Sequence, residues 1–278
     1  MTDTLNNPLA TLNWLVEAGA DEAIAEEPVN RLTAKATVQP LTAPSQVSVP
    51  RPAPASMRAP APAPVMEGDA IGGAMAAAAA ATSLAELQAA LEAFDGCPLK
   101  RTATNTVFAD GVAAGRVLLI GEAPGRDEDR VGKPFVGRAG QLLDKMLASI
   151  GLDRKTNAYI TNVINWRPPD NRDPTPEEAA ACLPFLRRHI ELADPQVIIL
   201  LGAVAARHVV GISDGIMKLR GRWLEYRVGT RMVPLMPTLH PAYLLRQPAH
   251  KKLAWRDLQA VRDKMQSLGL PMEATQSN

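Results

Sequence analysis

Three side chains of this sequence could do acid–base or polar-recognition work where an apolar run ends: Glu122, Asn162 and His240. Glu122 lies in GEAPG (121–125), at the end of RVLLIG. Gly121 and Gly125 permit a tight turn and close backbone approach to a ligand, and Pro124 stiffens it. The string lacks the Lys-Ser/Thr ending of a phosphate loop. The Glu122 carboxylate could act on a water molecule or cap the next turn. Asp127-Glu128-Asp129 reads as a solvated or helix-capping face, with no histidine nearby to suggest a metal. Asn162, in ITNVI, has an amide that donates and accepts at once, which suits the edge of a pyrimidine or the capping of a loop. His240 precedes a proline in TLHPAYLLR, a pairing that favours an extended turn. A neutral imidazole there could donate to a carbonyl oxygen that gains charge as a glycosidic bond breaks, or serve the turn alone.

Two further features bear on a planar ligand. Phe135, in the glycine-bounded GKPFVG, could stack on a base or pack into a core. Leu244 and Leu245 stand beside Arg246. An exposed leucine next to a basic residue could wedge into a base stack, although leucines of this kind also fill cores.

The elements that must position these residues alternate. Buried-strand runs cover 116–121, 158–164, 196–202 and 231–237. Between them, 137–151 is amphipathic and ends at a glycine. Thr175-Pro176-Glu177-Glu178 has the form of a capping box and opens a helix to about Ala193. A short helix starts at Ala203, and a last one covers about 252–267. Strands separated by helices imply parallel pairing with helices on both faces. Sites in such sheets lie at the carboxyl ends of strands. Glu122, Asn162 and His240 should therefore converge.

The first 96 residues hold four Lys/Arg and eleven Asp/Glu, a balance of −7; residues 97–278 hold 26 and 18, a balance of +8. The basic half suits a polyanionic partner or a solvated surface. Four zones are expected: a short amphipathic helix and acidic leader (1–35), a Pro/Ala-rich disordered tether (36–82), a folded domain (83–268) and a flexible tail (269–278). Two cysteines, Cys97 and Cys182, exclude a disulfide framework and fit a reducing compartment. No secretory signal or bilayer-length apolar run is evident, so a cytoplasmic protein without membrane contact is expected.

GEAPGRDEDRVGKPFVGRAGQLLDKML, YITNVINWRPPDNR and LHPAYLLR together resemble the family 4 uracil-DNA glycosylases, over about 94–263. The resemblance implies an α/β/α sandwich around a central four-stranded parallel sheet, and uracil-containing DNA as substrate. It implies that Glu122 positions or activates the attacking water and that His240 steadies uracil O2. Phe135 would stack on the base, Asn162 would read its polar edge, and the backbone of Ala123 would line the pocket. Leu244 falls at the intercalating position, beside Arg246 as a DNA contact. The family's four-iron, four-sulfur cluster takes four cysteines. Here Phe94 and Trp166 stand at two of those positions, and only Cys97 and Cys182 match. No cofactor is expected, and the cysteines should be buried small hydrophobes.

Three other readings remain open. A self-trapping relative would use a histidine in an inserted loop, but Asn162 to Pro176 has neither insert nor histidine. A damage-binding module without catalysis would share the motifs. A small-molecule nucleoside hydrolase would need neither the +8 balance nor the leucine wedge. A monomer is expected, with a protein partner for the N-terminal helix.

Overall fold

The computed structural model describes residues 67–272. The leader, the tether before residue 67, and residues 273–278 lie outside the described residues. In chain order the elements are α1 (Glu67–Ala80), α2 (Leu84–Ala93), β1 (Ala109–Gly111), β2 (Val117–Gly121), α3 (Arg126–Val131), α4 (Arg138–Ala148), β3 (Ala158–Asn162) and α5 (Pro176–Ala193). They continue with β4 (Val197–Leu201), α6 (Ala203–Val210), α7 (Ile216–Leu219), β5 (Leu224–Val228), β6 (Arg231–Thr238), α8 (Pro241–Arg246) and α9 (Lys251–Ser267).

The strands form one sheet in the order β1-β3-β2-β4-β6-β5. It is six-stranded and mixed, not the four-stranded parallel sheet expected. β3, β2, β4 and β6 pair in parallel, while β1 and β5 run antiparallel at the two edges. All five residues of β2, β3 and β4 are buried, as strands covered on both faces require. The edges escape a search for apolar runs for local reasons. β1 is only Ala-Asp-Gly, and β5 alternates half-exposed with exposed residues before ending at the buried Val228.

Alternation along the strands builds two cores. Leu118, Ile120, Ile198, Leu200 and Leu235 face one side, with α1, α2 and α5. Val117, Leu119, Val197, Ile199 and Met236 face the other, with α4, α8 and α9. Burying each such side chain contributes about 1.5–3 kcal/mol. α5 starts as its sequence indicates. Thr175 Oγ1 accepts from the Glu178 N–H at 3.2 Å, and Glu178 Oε2 accepts from the Thr175 N–H at 2.8 Å. Arg172 then grips the Glu178 carboxylate with two bonds, 2.8 and 2.6 Å, which pins the loop before the helix.

The expectation of a disordered tether reaching residue 82 fails over its last part. Alanine is the strongest helix former, and the Ala-rich run becomes α1. Its Ala74 and Ala78, with Ala81 just beyond, are buried in the core shared with α5. Small side chains let two helices approach closely, and Arg188 of α5 donates to the Ala81 carbonyl at 2.8 and 3.0 Å. At the other end, Leu270 joins the second core and the Pro271 carbonyl accepts from Asn157, so the first residues of the expected tail are held. Among the described residues, no helix is long and apolar enough to cross a membrane.

Candidate active site

Parallel register aligns the strand ends. Gly121 pairs with Asn162, and Leu201 with Thr238. A cavity of about 560 Å³ opens at this edge, lined among others by Glu122, Ala123, Phe135, Asn162, His240 and Arg246. The structure thus brings together the residues that stand far apart in the chain.

Glu122 leaves β2 with its carbonyl accepting from the Ile164 N–H at 2.9 Å, which ties it to the end of β3. It does not cap α3, whose N-cap is Gly125 and lacks a side-chain bond. Burial, aided by Asp173 and opposed by Arg207, raises its carboxyl to about 6. The neighbouring acids brace loops. Glu128 Oε1 accepts from the N–H groups of Val136 and Gly137 at 2.9 and 2.8 Å, and Asp129 Oδ1 from Thr104 and Asn105 at 2.8 and 3.1 Å.

The Glu128 brace holds the Phe135 loop. Phe135 is buried and has φ +53°, a left-handed conformation that costs a side-chain-bearing residue about 1–3 kcal/mol. Arg154 holds it there, donating to the Phe135 carbonyl at 2.8 Å and to that of Pro134 at 3.1 Å. A Cβ at Gly140 would sit 1.8 Å from the same carbonyl, so α4 can pass beneath the loop only with glycine. The Phe135 ring lies 5.5 Å from the His240 ring, centroid to centroid.

Asn162 is 2% exposed. Among the described residues its Oδ1 is the one buried side-chain oxygen or nitrogen without a hydrogen-bond partner. Such a group costs about 1–3 kcal/mol. A Cβ at Gly121 would lie 2.4 Å from this oxygen and 2.6 Å from the Phe135 ring. Glycine therefore leaves the space between the amide and the ring.

His240 is the N-cap of α8, with Nδ1 accepting from the Ala242 N–H at 3.1 Å. A neutral ring with Nδ1 accepting carries its proton on Nε2. Burial, and secondarily the charge of Arg246, lowers its pKa to about 4, so the ring is neutral at pH 7. Two residues before it, Thr238 enters a network that the sequence does not announce. Thr238 Oγ1, at the end of β6, donates to Asp257 Oδ2 at 2.7 Å, and Arg220 forks onto the same carboxylate. The readable signal was a charged residue on the apolar Ala254/Leu258/Val261 face of α9.

Leu244 requires a correction. It is 1% exposed and belongs to the second core, so it does not present itself to a base stack. In a six-residue helix, Pro241 and Leu244 share the inward face, and the next residue turns outward. Leu245 is accordingly 37% exposed, beside the exposed Arg246.

The positions matching cluster ligands lie elsewhere. Cys97 and Cys182 are free thiols buried in the same core. The neighbouring Cys97 thiol, with burial, pushes the Cys182 thiol well up. Trp166 is 1% exposed and donates through Nε1 to Thr106 Oγ1 at 3.0 Å. Phe94 packs on Phe185 at 5.1 Å between centroids. Two thiols, with packed aromatic side chains at the other two positions, do not fit a cluster that needs four thiolates. Among the described residues no group of three or more His, Cys, Asp or Glu side chains could hold a metal.

An α/β domain with these groups at the carboxyl edge of its sheet has known counterparts. Residues 108–259 match the model of the uracil DNA glycosylase superfamily. The type-4 uracil-DNA glycosylase of Thermotoga maritima is 45% identical over 156 residues, 56% of this chain and 79% of that one. That of Archaeoglobus fulgidus is 45% identical over 156 residues, 55% and 78% of the two chains. That of Pyrobaculum aerophilum is 38% identical over 179 residues, 63% and 91%. The chain belongs to the uracil DNA glycosylase superfamily.

Proposed function

We propose that this chain is a DNA-repair glycosylase that hydrolyses the bond between uracil and deoxyribose, the first step of base excision repair. The unpartnered Asn162 Oδ1, buried beside an aromatic ring and a histidine donor, carries this reading. An extrahelical uracil supplies the missing partner. Its N3–H donates to Asn162, Phe135 covers its face, and the backbone of Ala123 lines the pocket. Extruding the base costs a few kcal/mol, which Arg246 on phosphate and an exposed leucine in the vacated stack help to offset. Leu245 takes that role in place of Leu244.

Hydrolysis puts negative charge on the departing uracil and positive charge on the sugar. His240 Nε2–H donates to uracil O2 as charge gathers there, and ionised Glu122 holds the water and faces the sugar. The C1′–N1 bond breaks with its electron pair leaving on uracil. The water oxygen bonds to C1′, one of its protons passes to Glu122, and uracil takes up a proton from solvent. A DNA strand with one uracil, incubated with the protein and then treated with alkali, should break at the uracil; an intact strand, single or duplex, would sink the proposal.

The pH profile follows from the same groups. His240 is already neutral above about 4, and Glu122 becomes ionised only above about 6. The rate should rise as pH passes through 6 and then level off. Glu122→Gln should be slower by about 10²- to 10⁴-fold and lose the inflection. An unchanged inflection in that variant would assign it to another group.

We also infer that the chain works without an iron–sulfur cluster, as a cytoplasmic monomer, and that residues 1–35 serve a protein partner. The filled Phe94 and Trp166 positions support the first point. Protein purified without oxygen should be colourless and iron-free, and stoichiometric iron would refute it.

A further inference from the structure

A second cavity, of about 380 Å³, lies on the far side of α8 from the first. Its floor is apolar, built from Met146 of α4, Leu244 of α8 and Leu258 of α9. Trp255 forms one wall and is 40% exposed, unusual for the largest aromatic side chain. Lys145, Lys251 and Lys252 stand exposed around it, and no acidic residue lines it.

We infer that this groove is an auxiliary subsite in which a base of the DNA strand flanking the uracil stacks on Trp255 while the three lysines hold its phosphates. The inference rests on the glycosylase reading above. A stacking aromatic inside a cationic groove is the arrangement that binds single strands without regard to sequence. Continuity with the catalytic cavity selects this occupant. Ala242, Tyr243 and Arg246 of α8 face the first cavity, and Leu244 of the same helix floors the second. One helix diameter, about 10 Å, separates them. That is roughly three nucleotides at about 3.4 Å per step. A strand entering the uracil pocket past Arg246 crosses the exposed Leu245 and reaches Trp255 next.

The test compares wild type with Trp255→Ala, Trp255→Phe and Lys251→Glu/Lys252→Glu in the full chain. Fluorescence anisotropy first measures binding to a uracil-free single strand of about 15 nucleotides. Trp255→Ala should weaken binding by roughly ten-fold or more, and Trp255→Phe should recover most of it. The double lysine variant should weaken binding and flatten its salt dependence. With uracil in the strand, the loss should fall on KM with kcat retained, and should vanish for a strand that carries a single nucleotide on either side of the uracil. Replacing the base about three positions from the uracil by an abasic spacer should weaken wild type but not Trp255→Ala. Equal binding by wild type and Trp255→Ala, or equal losses on long and short strands, would overturn the subsite. So would an acidic, aromatic-ended peptide that fills the groove without displacing DNA. Failure of wild type to release uracil from any strand would instead refute the glycosylase reading.

Discussion

His240→Asn is expected to slow uracil excision by on the order of 10²- to 10³-fold while the protein stays folded. The side chain does two jobs that this substitution separates. Its Nδ1 accepts from the Ala242 N–H and starts α8, which leaves the proton on Nε2 of a ring that lines the cavity. Asparagine offers an oxygen near the place of Nδ1 and nothing near that of Nε2. It is also among the best N-cap residues, so the helix start is retained. The donor removed is one that works hardest as charge develops, so the loss should fall on kcat more than on KM. Thermal melting and single-turnover cleavage measure the two jobs separately. A large drop in melting temperature with little change in rate would make His240 a structural residue.

Asn162→Ala is expected to do the reverse of what a buried polar substitution usually does. Most such changes strip a hydrogen bond and destabilise. Asn162 Oδ1 has no partner to lose, so the folded protein should keep its stability or gain slightly. Activity should fall by about 10²-fold or more, because the uracil edge then enters a pocket without its acceptor. Denaturant unfolding and kcat/KM on a uracil strand check both halves. A clear loss of stability would mean that the amide serves the fold, and unchanged kcat/KM would remove it from recognition.

The convergence of Glu122, Asn162 and His240 was legible because each lies near the carboxyl end of a strand run, and parallel register then does the rest. Edge strands were not legible, since Ala109–Gly111 is too short and Leu224–Val228 is half polar. The Ala-rich helix Glu67–Ala80 was hidden by the prolines before it; its alanines reveal themselves only against α5. Two adjacent leucines give no phase for a six-residue helix, so the sequence does not tell the buried Leu244 from the exposed Leu245. The network of Arg220, Thr238 and Asp257 depends on three elements meeting, which no spacing announces.

The most direct measurement of the central claim is chromatographic detection of free base released from a strand with one uracil, by wild type and His240→Asn under identical conditions. Wild type should release one uracil per strand and leave an abasic site, with His240→Asn far slower and cytosine or thymine strands untouched. Tight binding of the uracil strand by wild type with no uracil released would contradict it.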